Sequence, residues 1–584
     1  MTPILQTLTE KVSAAFEQCG YDGKLGTVTV SDRLDLCQFQ CNGAFAGAKL
    51  YRKAPKMIAD EVAAVLAADE MFAKAETAGA GFLNLTLCDQ FLTAFVNSIA
   101  ADEHNGVPQA DVPETIVMDY GGPNVAKPLH IGHLRPAIIG EAMKRIARAA
   151  GHKVISDIHM GDWGLPIGLV IAELEVRHPD WACFAPDFPA GGAVPTLDAD
   201  SLNEIYPFAS AKSKEDADFR LRAQAVTAAL QDGAPGFTAL WKEILRVSVQ
   251  DMRKNYTRLG VDFDLWYGES DASAFIPRMM NMLKEKKLLR ESEGALVVDV
   301  AEESDKAPVP PVIVQKSDGA DIYATTDLAT ILQRQEDFSP TRVWYFVDIR
   351  QSLHFLQVFR CAKLAGIVPE TTELAFNPNG TMNGPDGKPF KTRDGGVLPL
   401  SAFFDMVLAE AKARIAQSAH GEDGDKDAAA EKIACAAIKF GDLINHRAKD
   451  YIFDMDKFMS SEGKTGAYIL YTIARINSVL RKAGGCPAGA EITVVTVAEE
   501  RALLLTIALG SQAVLGALAE KAPSFICEYA YNLAVAFSKF YHACPIASEA
   551  DAAVRGSRLA LAALTKAALI QYLDMLGIEP VDFM

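Results

Sequence analysis

Residues 117–133 read Val-Met-Asp-Tyr-Gly-Gly-Pro-Asn-Val-Ala-Lys-Pro-Leu-His-Ile-Gly-His, and residues 151–164 read Gly-His-Lys-Val-Ile-Ser-Asp-Ile-His-Met-Gly-Asp-Trp-Gly. The first stretch opens as a short β-branched, apolar run that stops at Gly121, Gly122 and Pro123, residues that accept or fix special φ values. From Leu134 to Ala150 apolar residues recur at helical spacing (Leu134, Ala137, Ile138, Ala142, Ile146, Ala150), with Glu141, Lys144, Arg145 and Arg148 between them. Gly151 ends the helix, and His152 to Ile158 reads as a second strand. The unit is βαβ, and it predicts a parallel sheet.

The turn after a parallel strand and the first turn of the next helix lie at the carboxyl edge of the sheet. Open α/β sheets bind ligands there, and free backbone N–H groups favour anions. His130-Ile131-Gly132-His133 falls at that edge. Two histidines three apart can share one face and donate to phosphate oxygens, while Gly132 leaves room for a flat base to approach. His130, Gly132 and His133 therefore suit a nucleoside triphosphate, the alternative being that the two histidines are ordinary polar residues of a helix start.

Length and composition bound the rest. A chain of 584 residues exceeds one hydrophobic core and implies several domains. Apolar content of 49% and charged content of 23% are ordinary for a soluble globular protein. No run of 18 apolar residues is uninterrupted, and the N-terminus has no basic region before a long apolar run, so a cytoplasmic protein without a membrane partner is expected. The ten cysteines include no Cys-x-x-Cys pair, so no metal site or disulfide framework is expected. A net charge of −18 argues against indiscriminate nucleic-acid binding and suits a cationic substrate.

Three further stretches carry chemistry. Asp321 to Ala329 reads as a strand end passing into a helix near Thr325, which puts Tyr323 and Asp327 one turn apart. A carboxylate offers two acceptors to a planar guanidinium, a pairing that separates arginine from lysine by shape. Val343 to Asp348 reads as a buried parallel strand, and Arg350 to Gln357 opens another helix. The loop Gly384 to Gly396 carries Lys388, Lys391 and Arg393 and can close over a triphosphate.

Pro-Asn-Val-Ala-Lys-Pro-Leu-His-Ile-Gly-His at 123–133, with Gly-Asp-Trp-Gly at 161–164, resembles the nucleotide-binding segment of class I aminoacyl-tRNA synthetases, and within them the arginyl-tRNA synthetases. The loop at 384–396 is similar to that class's mobile Lys-Met-Ser-Lys-Ser loop, but Asp394 stands near the place of the second lysine. The resemblance makes Lys127 a candidate for the missing charge. It also implies arginine binding by Asp119, Asn124, Tyr323, Asp327 and Gln357. Catalytic roles fall to His130, His133, Lys127 and Lys391, and ATP contacts also to Lys388.

The implied fold is α/β: a doubly wound parallel, Rossmann-type catalytic sheet at 113–400 with an insertion near 178–250. A small N-terminal α/β domain at 1–112 precedes it, and an all-α helical bundle at 401–584 follows. Within the insertion, the prolines of His178–Ala211 bar long helices. Phe263 to Tyr267 reads as a strand, and Lys284 to Glu293 as a solvated helix surface.

The implied activity joins L-arginine to tRNA(Arg) through an arginyl-adenylate. ATP is a substrate with Mg2+ travelling on it, DNA is not a partner, and a monomer is expected. The N-terminal domain would contact the tRNA elbow or act as a prop. Tyr531, Tyr541 and Met584 are either core residues or platforms for anticodon bases. Two rivals share these motifs: another nucleotidyltransferase, which the helical C-terminal third disfavours, and a silent tRNA-binding paralogue, which the intact His130, His133 and Asp327 disfavour.

Overall fold

The computed structural model describes all residues but 34–35, 318–321, 389, 391–396, 418–424 and 583–584, and the side chain of Gln417. Lys391, Arg393, Asp394 and Met584 lie outside the described residues. The chain forms two compact units: Val112–Ala416 with Ala434–Met459, and Met1–Asp111 with Gln417–Ile433 and Ser460–Met584.

The first unit is built on β1 (Thr115–Tyr120), α1 (Leu134–Ala149), β2 (Lys153–Asp157), α2 (Tyr323–Phe338), β3 (Arg342–Asp348), α3 (Ser352–Ala365) and β4 (Glu373–Asn379). The strands make a four-stranded sheet in the order β4-β3-β1-β2, every pair parallel. The chain winds outward from β1 to β2, then returns to β3 on the other side of β1. The order reverses between β1 and β3, where Tyr345 pairs with Asp119 and Phe346 with Tyr120.

Both faces of this sheet are covered, which explains strands that are apolar throughout. Val117, Val343 and Tyr345 join one core with Leu328 and Ile331 of α2 and Val358 and Cys361 of α3. The alternate residues Met118, Tyr120, Trp344 and Phe346 are at most 1% exposed and face the other way. There α1 settles directly onto β1 through Gly140, where an added Cβ would come 2.1 Å from Cγ of Tyr120.

Four sequence expectations change. The prolines at 179, 186, 189 and 195 do stay outside long helices, but a 17-residue helix, Ala199–Glu215, follows and carries Pro207 inside it. A proline removes one helix hydrogen bond, and burial of Leu202, Ile205 and Ala209 outweighs that loss. Phe263 to Tyr267 is extended but makes only an isolated bridge, Asp157 with Leu265. The charged run splits, with a helix ending at Glu285 and a strand at Leu289–Ser292. Finally, α2 begins at Tyr323 rather than near Thr325, because Thr325 Oγ1 caps it by accepting the N–H of Ile322 at 3.0 Å.

The second unit pairs a four-stranded antiparallel sheet from the N-terminal residues with the C-terminal helices. Arg501 bonds Asp89 at 2.6 Å, and Asn97 exchanges two hydrogen bonds with the backbone of Ile492. Ala498–Glu520 is long and apolar enough to cross a membrane by length and composition, with mean hydropathy 1.9. It folds as two helices, and half of its most apolar window is buried inside the protein.

Candidate active site

A cleft of about 400 Å³ opens at the carboxyl ends of β1 and β3, where the strand order reverses. Asp119 enters it from β1, Gly122 and Asn124 from the turn that follows, His159 and Gly161 from the segment after β2, and Glu269 from a later loop. Tyr323 and Asp327 line it from α2, and Gln351 and His354 from the start of α3. Four of the five residues implied for arginine binding therefore converge. Gln357 does not line the cleft; its amide donates to the carbonyls of Pro310 at 2.7 Å and Pro311 at 3.3 Å. The glutamine that faces the cleft is Gln351.

The floor is an ion triad. Nη2 of Arg334 donates to Oδ2 of Asp119 and to Oδ2 of Asp157, each at 2.7 Å, and all three side chains are at most 8% exposed. Burial works against the charge of Arg334, but Asp119, Tyr345 and Asp157 hold it protonated. Nε and Nη1 of Arg334 make no hydrogen bond among the described residues, and its guanidinium lies 5.4 Å from the centre of the Tyr345 ring.

Above the floor, Nε2 of His354 lies 2.5 Å from Oδ2 of Asp327. The carboxylate of Glu269, unlike its backbone N–H, makes no hydrogen bond among the described residues. Burial pushes its carboxyl up to about 7, opposed by His159 and reinforced by Asp327 and Asp162. The Gly-Asp-Trp-Gly motif sets its position: Asp162 accepts Ser270 N at 3.0 Å and Ser270 Oγ at 2.6 Å, and Glu269 N donates to Met160 O at 3.0 Å. His159 beside it has positive φ, 45°; its Nδ1 lies 3.8 Å from Oδ2 of Asp157, and neither ring nitrogen makes a hydrogen bond among the described residues.

The His130 turn is a closed hydrogen-bond box. Gly132 N donates to Nδ1 of His130 at 3.1 Å, and His130 N donates to Nδ1 of His133 at 3.1 Å. Each Nδ1 is an acceptor, so each neutral ring carries its proton on Nε2, the atom left to meet a ligand. Burial, with Lys127 behind it, lowers His130; burial, His130 and Lys127 push His133 down to about 3. The rings lie 3.9 Å apart, and a Cβ at position 132 would stand 2.9 Å from Cε1 of His130. Lys127 places its ammonium 4.5 Å from the centre of the Tyr206 ring.

The segment that follows the lysine-bearing stretch 384–396 is tied to this turn. Ile131 N donates to Leu398 O at 3.0 Å and Leu400 N to Leu129 O at 2.9 Å. Just before that stretch Met382–Asn383 pairs with Tyr451–Ile452. Lys388 is exposed on a turn closed by Gly384 N to Lys388 O at 2.7 Å. Among the described residues no group of three His, Cys, Asp or Glu side chains can hold a metal ion.

In the other unit Tyr531 and Tyr541 are half-buried, neither core nor fully open. Lys464 lies 5.6 Å from the centre of the Tyr531 ring, and Arg475 lies 5.2 Å from that of Tyr541.

Residues 95–455 match the family described as tRNA synthetases class I (R), catalytic domain, so the cleft belongs to a class I aminoacyl-tRNA synthetase fold. Residues 6–87 match the arginyl tRNA synthetase N terminal domain and 469–584 the DALR anticodon binding domain. Arginine-tRNA ligases of Agathobacter rectalis and Alkaliphilus oremlandii are each 47% identical over 100% of both chains. The chain belongs to the arginyl-tRNA synthetase family. The arginyl-tRNA synthetases of Thermus thermophilus and Plasmodium falciparum share its fold, each with a TM-score of 0.81 at 23% identity over 100% of both chains.

Glu269, His159, His354, Gln351 and Arg334 are the site residues that sequence reasoning missed. The one signal for Glu269 is the Gly-Glu-Ser that follows an apolar segment.

Proposed function

We propose that this chain ligates L-arginine to tRNA(Arg) in two displacements at one site. The arginine carboxylate attacks the α-phosphate of ATP, forming arginyl-adenylate and releasing pyrophosphate. The 2′-hydroxyl of the terminal adenosine then attacks the activated carbonyl and releases AMP. The convergence of Asp119, Glu269 and Asp327 on one cleft carries this reading, because a guanidinium and an ammonium need facing carboxylates.

Each residue has a task in holding charge or geometry rather than in covalent chemistry. Asp327, Glu269 and the Tyr323 hydroxyl receive the guanidinium; Asp119 and Asn124 receive the α-amino end, with Gln357 kept as a further arginine contact. His130 and His133 donate Nε2–H to ATP phosphates, and Gly132 admits the base. Lys127, Lys388 and Lys391 neutralise departing pyrophosphate. Mg2+ enters as the companion of the ATP phosphates, and the described residues offer it no three-ligand cluster.

Residues 1–112 and 401–584 hold the tRNA, with Tyr531, Tyr541 and Met584 against the anticodon, while 113–400 carries the chemistry. The enzyme works as a cytoplasmic monomer and takes neither DNA nor membrane as partner. The test is ATP–pyrophosphate exchange in the presence of tRNA(Arg), run with each amino acid in turn. Exchange with arginine alone supports the reading; no exchange with arginine overturns it.

A further inference from the structure

His354 has no task in the mechanism above, yet it makes the shortest contact in the cleft. It stands in the first turn of α3, while Asp327 stands on α2. Their side chains are 31% and 21% exposed, so the pair forms part of the cleft wall and is not a core ion pair. Among the described residues no other side chain bonds Asp327. The groups facing the pair are Glu269 from its loop, Asp119 from β1, His159 after β2 and Tyr323 on α2, and none of them bonds either partner.

A carboxylate on a helix turns about a broad, two-fold terminal torsion and can present either oxygen. The His354 contact removes that freedom. It occupies Oδ2, restrains the carboxylate, and leaves Oδ1 without a side-chain partner among the described residues on a residue that lines the cleft. A hydrogen bond accepted by an ionised carboxylate is charge-assisted, about twice as strong as a neutral one, and holds geometry accordingly.

We propose that His354 is a positioning residue: its imidazole donates Nε2–H to Oδ2 of Asp327 and so aims Oδ1 at the substrate guanidinium. This rests on the cleft being the arginine site. His354 is then a determinant of arginine affinity that need not touch arginine, acting through the orientation of one carboxylate.

The experiment is steady-state exchange kinetics on the full chain with tRNA(Arg), using His354→Ala, His354→Gln, Asp327→Asn and the double variant His354→Ala with Asp327→Asn. Thermal unfolding of each variant checks that it is folded. His354→Ala raises the KM for arginine tenfold or more and moves the KM for ATP less than twofold. His354→Gln, which returns an N–H donor near the same place, restores the arginine KM to within threefold of the parent. In the Asp327→Asn background His354→Ala adds less than twofold, since its target is already altered. An arginine KM within twofold of the parent in His354→Ala overturns the proposal, as does an undiminished effect in the Asp327→Asn background. If Asp327→Asn itself leaves the arginine KM unchanged, the arginine reading of the cleft fails and this inference with it. If Asp327→Asn raises that KM and His354→Ala does not, only the role of His354 is lost.

Discussion

The guanidinium of Arg135 lies 3.0 Å from Oδ2 of Asp442, and the two side chains are 2% and 0% exposed. Arg135 is two residues past His133 at the start of α1. Asp442 also accepts from the Tyr451 hydroxyl at 2.7 Å, and Arg135 donates to Lys449 O at 2.8 Å. Tyr451 belongs to the strand that pairs with Met382–Asn383, just before the lysine-bearing loop that begins at Gly384. One buried pair thus ties the histidine turn to the base of that loop. Removing one partner of such a pair costs about 3–5 kcal/mol, because the other is left charged without compensation. Arg135→Ala lowers the calorimetric unfolding temperature by several degrees; a shift under one degree contradicts the assignment.

The raised Glu269 carboxyl makes arginine use depend on pH. Its value of about 7 exceeds the ordinary 4.5 of a glutamate, so between those values the free folded protein holds a proton that the unfolded chain has lost. That stabilisation is fully present at low pH and is lost as pH rises through about 7. Arginine binding has the opposite preference, since the cation favours the ionised carboxylate. The KM for arginine therefore falls as pH rises from 6 to 8, approaching tenfold per unit at the acid end for about one linked proton. Glu269→Gln makes that profile shallower; an equally steep profile in the variant removes Glu269 from the linkage.

Gly132→Ala probes the histidine box. The added Cβ would stand 2.9 Å from Cε1 and 3.0 Å from Nδ1 of His130, so the ring has to swing away. Displacing a reacting or positioning group by up to an ångström costs on the order of 10- to 10²-fold in rate. Adenylate formation falls by that range while the unfolding temperature holds, because position 132 is exposed. Single-turnover kinetics check the rate, and unchanged turnover removes the box from phosphate binding.

Lys127 rests against Tyr206 and electrostatically depresses both histidines, so its ammonium is already close to them. Lys127→Ala lowers the rate of adenylate formation by about 10²–10³-fold, the scale of one lost electrostatic contact to a transition state. ATP affinity changes less. A rate within twofold of the parent returns Lys127 to the role of a lysine stacked on a tyrosine.

The parts of the site visible in the sequence are those encoded locally. Glycine, proline and helical periodicity mark the turn after β1 and the start of α1 within some thirty residues, and spacing alone pairs Tyr323 with Asp327. Glu269 is different, since its placement depends on Asp162 reaching Ser270 across 108 positions of sequence. Gln357 and Gln351 are both plausible from composition. Only the start of α3 at Ser352, with Gln357 drawn to the Pro310 carbonyl, separates them. Arg334 reads as one more charge in a helix until β1 and β2 bring Asp119 and Asp157 to it. Pro207 misleads in the other direction, because local helix cost is overridden by side chains that the helix buries.

The triad beneath the cleft has a consequence for what the enzyme can admit. Without Arg334, Asp119 and Asp157 would face each other with no resident cation, and two buried carboxylates so placed take up a shared proton rather than remain doubly ionised. The cleft would then titrate with the medium and lose its hold on an ammonium group. With Arg334 in place the floor of the cleft carries a resident guanidinium between the two carboxylates. Two carboxylates against one guanidinium leave the triad with one formal negative charge in excess, so the floor favours a cation over an anion above it.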